Sequence, residues 1–116
     1  MSTEIVEVPV FTDEKIRDTA AHNSAIANMA RYKIVTIYIA NTLDQQISVQ
    51  AKANRTNSTT GATDVGAPFT VAATTGIEAR TLTPEGEGWL PYLFIEVTAA
   101  GVPTTGSLNA YILGRN

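Results

Sequence analysis

Alternating and β-branched runs set the pattern of this chain. Residues 33–41, Lys-Ile-Val-Thr-Ile-Tyr-Ile-Ala-Asn, are dominated by residues that suit a pleated surface. Both faces of this run are largely apolar, as in a central strand. Further on, Ile47, Val49, Ala51 and Ala53 alternate with Ser48, Gln50, Lys52 and Asn54, giving one dry and one wet face. Thr42-Leu43-Asp44-Gln45 separates the two runs and reads as a turn, so an antiparallel hairpin is expected. Residues 54–66 lose all period and read as a long exposed loop or irregular edge. Residues 68–72 and 77–82 read as short strands around Thr74-Thr75-Gly76, followed by a turn rich in Gly and Pro over 83–88. The most hydrophobic stretch is 89–97. Its Pro91 has no N–H to give a ladder, so it belongs at a strand start, an edge or a bulge. After a turn over 99–105, a last strand over 107–113 places Leu108, Ala110 and Ile112 on one face and Asn109, Tyr111 and Leu113 on the other.

The first thirty residues are less regular. Ile5, Glu7 and Pro9 alternate with Val6, Val8 and Val10, which suits either an edge strand or an arm. Thr12-Asp13-Glu14-Lys15 resembles a helix N-cap with acid in the first turn. The stripe such a helix would bury (Ile16, Ala20, Ala27) is thin and interrupted by Asn23 and Ser24. Extended segments are therefore preferred, with at most a helical turn near 12–18. Short strands at roughly ten-residue spacing, with turn signals between, predict an all-β, single-domain β-sandwich, jelly-roll-like, with an extended N-terminal arm. The expected division is an arm or edge strand over 1–12 and the sandwich over 13–116.

Composition narrows the function. The 116 residues carry a net charge of −3, only 16% charged side chains, and seventeen threonines. A chain this acidic lacks the clustered Lys and Arg of an electrostatic nucleic-acid binder. No cysteine is present, which excludes disulfides, thiolate zinc sites and thiol nucleophiles. No apolar run approaches a membrane span. The acidic N-terminal stretch lacks a hydrophobic h-region, so folding in a cytoplasm without a signal peptide is expected.

Candidate chemistry is sparse. His22, the one histidine, could be imagined with Ser24 and Asp18 as a triad, but such triads join separate elements and add an oxyanion hole. Glu85 and Glu87 flank Gly86 and read as a solvated turn rather than a glycosidase pair. Asp13, Glu14 and Asp18 lack the spacing of a calcium loop. Asp44 and Asp64 are expected to bond local backbone in turns. Of the eight aromatic residues, the core is expected to claim most, Trp89, Tyr92, Phe94, Tyr38 and Tyr111 among them. No catalytic, cofactor or metal site is expected.

The segment Tyr32 to Gln50, the pair Gly88-Trp89-Leu90-Pro91-Tyr92 and Pro103-Thr104-Thr105-Gly106-Ser107-Leu108 together resemble small all-β virion proteins of tailed phages and prophages. The resemblance spans roughly residues 22–116. It implies a non-enzymatic structural subunit of the virion: a capsid decoration or cement protein, or a head or tail component. It implies no cofactor. The partners it implies are other copies of the chain, a trimer among the arrangements, and the major capsid or other virion proteins, with neither nucleic acid nor membrane. Ile5, Val6, Val8, Val10 and Phe11 are the expected partner contacts, because an apolar arm before the first clear strand has little local core to join. The alternative is a carbohydrate-binding β-sandwich module presenting Trp89 and Tyr92.

Overall fold

Among the described residues, nine strands and no helix make two antiparallel sheets. A computed structural model describes residues 5–82 and 90–116. The strands are β1 (Ile5–Glu14), β2 (His22–Asn23), β3 (Ala27–Asn28), β4 (Ile34–Asn41), β5 (Ile47–Asn54), β6 (Thr63–Val71), β7 (Gly76–Leu82), β8 (Tyr92–Ala99) and β9 (Leu108–Arg115). The first sheet has the order β1-β9-β4-β7. The second has the order β2-β8-β5-β6, with β3 also on β8. If the broken pair β2 and β3 counts as one strand, successive strands step between the two sheets everywhere except from β5 to β6, which pair within the second sheet, as in a jelly roll. Residues 83–89, which hold the expected Gly/Pro turn with Glu85 and Glu87, and Trp89, lie outside the described residues.

The core forms where the two inner faces meet. From the first sheet come Val35, Ile37 and Ile39 of β4 and Leu108, Ala110 and Ile112 of β9. From the second come Ile47, Val49 and Ala51 of β5 and Leu93, Ile95 and Val97 of β8. Period-two alternation in each strand is what delivers these positions to one side. The core is aliphatic: Phe11 is buried in it, whereas Tyr38, Tyr92 and Tyr111 stay half-buried outside it. The expectation that the core claims most aromatics therefore fails for these three tyrosines, whereas Tyr32 and Phe69 pack against the core. Small β-branched and Leu side chains already fill the space between sheets that are only about 10 Å apart. Phe94 is also buried, on the opposite side of β8 from Leu93 and Ile95.

The expected hairpin of residues 33–41 with 47–54 does not exist. β4 pairs with β7 and β9, and β5 pairs with β6 and β8, so residues 42–46 cross from one sheet to the other. The crossing is held by Asn41, whose buried amide donates to the Gln45 and Ala72 carbonyls at 3.0 Å each and accepts from the Leu43 N–H at 3.0 Å. Leu43 itself is fully buried. Opposite lies the β8–β9 connection, where Gly106 has φ +85°. A Cβ there would fall 1.9 Å from the Thr42 carbonyl oxygen, so only glycine fits. The irregular stretch is also shorter than expected, because β6 begins at Thr63. The helix N-cap reading fails as well: β1 runs on through Thr12 and Asp13 to Glu14, and the Asp13 N–H donates to Asn109 Oδ1.

Candidate functional site

The groups considered for chemistry come apart. Asp18 Oδ1 does meet His22 Nε2, at 2.6 Å. That hydrogen bond, with a second from the Ala20 N–H, holds the Asp18 carboxyl below its ordinary range. Ser24 does not join them. It is buried, its hydroxyl donates to the Ala25 carbonyl at 2.8 Å, and its Oγ accepts from the Ile95 N–H at 2.9 Å. The hydroxyl stitches the β2–β3 segment to β8 and is not poised for attack. Asp44 and Asp64 also differ from expectation. The Asp44 carboxylate accepts from the N–H and hydroxyl of distant Thr104, and Asp64 lies in β6, 3.2 Å from the Lys52 ammonium. Among the described residues, no three His, Cys, Asp or Glu side chains gather where they could hold a metal ion. No helix among them is long and apolar enough to cross a membrane.

The outer faces of the two sheets differ in character. On the second sheet, Ser48, Gln50 and Lys52 of β5 lie beside Thr98, Glu96 and Phe94 of β8. Lys52 is paired with Asp64 and, at 4.0 Å, with Glu96. This face is polar and ion-paired apart from Phe94, which is buried on it. On the first sheet the register aligns residues into rows. One row is Ala79, Tyr38, Tyr111 and Pro9, and the next is Thr81, Thr36, Leu113 and Glu7. Ile77, Ala40 and Asn109 form the row on one side, and Ile34, Arg115 and Ile5 the row on the other. None of these side chains is buried. Charge is confined to Glu7 and Arg115 at one corner, and the rest is aliphatic, aromatic or threonine. Tyr38 and Tyr111 stand 6.2 Å apart with their rings tilted by 44°. Beside them run two adjoining concavities that share Thr36 and Leu113. One, of 370 Å³, reaches Glu7 and both tyrosines; the other, of 320 Å³, reaches Ile5 and Arg115.

The five positions expected to touch a partner are divided by the pleat of β1. Ile5 opposes Arg115 on the outer face and is 64% exposed. Val6 and Val8 turn inward and are half-buried against the core, and Val10 and Phe11 are buried within it at 6% and 4%. β1 lies along β9 of the same chain through seven register positions. Sequence reasoning missed the outer face that carries Tyr38, Tyr111 and Leu113 as a surface. Each residue appeared at its period-two position, but the rows they join depend on a register between strands far apart in sequence.

No protein-family model matches the chain, and no curated protein matches its sequence. Solved structures match its shape. The PBSX exported protein XepA is similar with a TM-score of 0.69 at 14% identity, over 94% of this chain. This chain spans 37% of the length of that one. A protein of Bacillus endospore appendages, described as disulfide-linked pili, matches with a TM-score of 0.58 at 16% identity, over 99% of this chain and 91% of its own. The SPBc2 prophage-derived protein YomS matches with a TM-score of 0.56 at 11% identity, over 100% of this chain and 98% of its own. The likeness is one of fold. The resemblance to small all-β phage and prophage proteins is borne out at that level.

Proposed function

We propose that this chain is a non-enzymatic structural subunit that works by assembly, as a capsid decoration or cement protein or another virion-surface subunit. The observation that carries this reading is the asymmetry between the two outer faces. A sheet face with its charges at one corner loses little on desolvation and gains from apolar contact, whereas an ion-paired face resists burial. The first sheet thus offers the docking face, with other copies of the chain or a shell protein as its partner and the virion as its location. Of the N-terminal segment, Ile5 contributes to that face, while the valines after it anchor β1. The fold shared with prophage and pilus proteins supports the same reading. Disulfide linkage of the kind described for the endospore pili is not open to these 116 residues, which carry no cysteine.

The test is incorporation. Particles purified from cells that carry the gene should contain the chain by mass spectrometry, and a folded Tyr38→Glu/Tyr111→Glu variant should be depleted from them by about tenfold or more. Such a loss corresponds to about 1.4 kcal/mol of docking free energy, a modest demand on two central aromatic residues. Particles that lack the wild-type chain would refute the reading. A glycan-binding role is the second reading, and among the described residues the Tyr38–Tyr111 pair beside Glu7 is what favours it. Rings tilted by 44° do not form a single plane for a sugar to stack on, so assembly remains the preferred reading.

A further inference from the structure

Each two-sheet sandwich has four edge strands, and three of the edges here are blunted. β1 contains Pro9 and two register shifts against β9. β2 and β3 are two residues each. β6 contains Pro68, a register shift against β5, and Gly66 at φ +69°. Prolines, bulges and broken strands are the usual means of keeping an edge from pairing. β7 has no proline, bulge or break; the one such device it carries is charge, Glu78 and Arg80 on the side of Ile39 and Ile37, and the two are of opposite sign. It keeps an unbroken register with β4 over seven pairs, from Leu82 on Val35 to Gly76 on Asn41. Among the described residues it has a strand neighbour on one side only, and Ile77 on it is 60% exposed.

We infer that β7 pairs antiparallel with β7 of a second copy about a two-fold axis at Ala79, joining the two first sheets into one eight-stranded sheet. The sequence of the strand selects this register. A two-fold axis normal to the sheet keeps outer residues opposite outer residues, so the axis must pass through a residue. Centred on Ala79, it sets Glu78 opposite Arg80 of the other copy, twice, and Ile77 opposite Thr81. Centred on Glu78 or Arg80, it sets like charges against each other. Opposite charges directly across an antiparallel pair stabilise it and like charges destabilise it. Within one copy the same two side chains meet only at 3.5 Å, and Arg80 also stacks 4.5 Å above the Phe69 ring. The intrachain ion pair is loose enough to be exchanged. This inference deepens the assembly reading by naming a self-contact, and it uses an edge distinct from the proposed docking face.

The test is a charge-exchange series followed by sedimentation equilibrium at low salt. Wild type should associate to twice 12.3 kDa in a concentration-dependent way. Glu78→Arg and Arg80→Glu should each raise the dimer dissociation constant about tenfold, and the double exchange should restore it to within about threefold. The double variant also lacks the Arg80 stack on Phe69, so its recovery would exclude loss of that stack as the cause. With no native cysteine, Ala79→Cys should form a disulfide dimer on oxidation, whereas Thr81→Cys should not, because in this register it lies four residues from its own copy. A wild type that stays monomeric near millimolar concentration, single variants that dimerise like wild type, or a double variant as weak as the singles would each overturn the inference. None of these results would touch the docking-face reading, which the particle experiment decides.

Discussion

Asp44 lies in the segment that joins β4 to β5, yet its carboxylate is held by Thr104, sixty positions further along the chain. Thr104's hydroxyl, and then its N–H, bond the ionised form and hold the Asp44 carboxyl below the usual carboxylate range. In the unfolded chain that range returns, so the unfolded state takes up the proton first as the solution is acidified. The contribution of this contact to stability is thus complete above the ordinary carboxylate pKa and disappears as pH falls through the lowered folded value. Urea midpoints measured between pH 7 and pH 3 should show wild type above Asp44→Asn at neutral pH and the two converging in acid. Parallel curves would show that the contact carries no pH-linked stability. The sequence marked Asp44 as a turn former with local partners. Nothing within a few positions of it could announce a partner in another connection.

The crossing between the sheets illustrates what period-two patterning can and cannot specify. It places the strands well: β4 and β5 fall within a residue of the runs read from the sequence, and β9 shows the expected faces. Strand partners are another matter. A five-residue connection can fold back within one sheet or step across to the facing one, and both leave the alternation unchanged. The clue was Leu43, an apolar residue in a polar connection, which a hairpin tip would leave in water. Here it is fully buried. Leu43→Ala should therefore cost about 3 kcal/mol in denaturant unfolding, the scale of a core cavity. A value under about 0.5 kcal/mol is what an exposed hairpin tip would give and would contradict the crossing. The sequence leaves β1 open between an edge strand and an arm for a related reason. Its acidic end mimics a helix cap, and only its ladder with β9, about a hundred residues away in sequence, makes it a strand.

For the whole molecule, the decisive feature is that β1 serves the core and the surface together. Its inward residues Val10 and Phe11 complete the interior, and its outward Ile5 adds an apolar side chain to the outer face of the first sheet beside Arg115. Removing residues 2–11 would therefore not detach a passive arm. It would strip two buried side chains, worth about 3–6 kcal/mol, from a domain whose total stability is of order 5–15 kcal/mol. It would also expose the edge of β9, a strand rich in Leu, Ile and Tyr and prone to pairing with whatever it meets. The truncated chain should accordingly melt at a much lower temperature and aggregate, and its failure to assemble would say nothing about contacts. Ile5→Lys separates the two roles. At a position already 64% exposed, it should leave the unfolding free energy within about 0.5 kcal/mol of wild type while placing a second cation beside Arg115 on the docking face. Incorporation into particles should fall with stability unchanged. If Ile5→Lys incorporates like wild type while Tyr38→Glu/Tyr111→Glu does not, the partner seats on the centre of the face and stops short of its N-terminal corner. If both incorporate normally, the first sheet is not the surface through which this protein assembles.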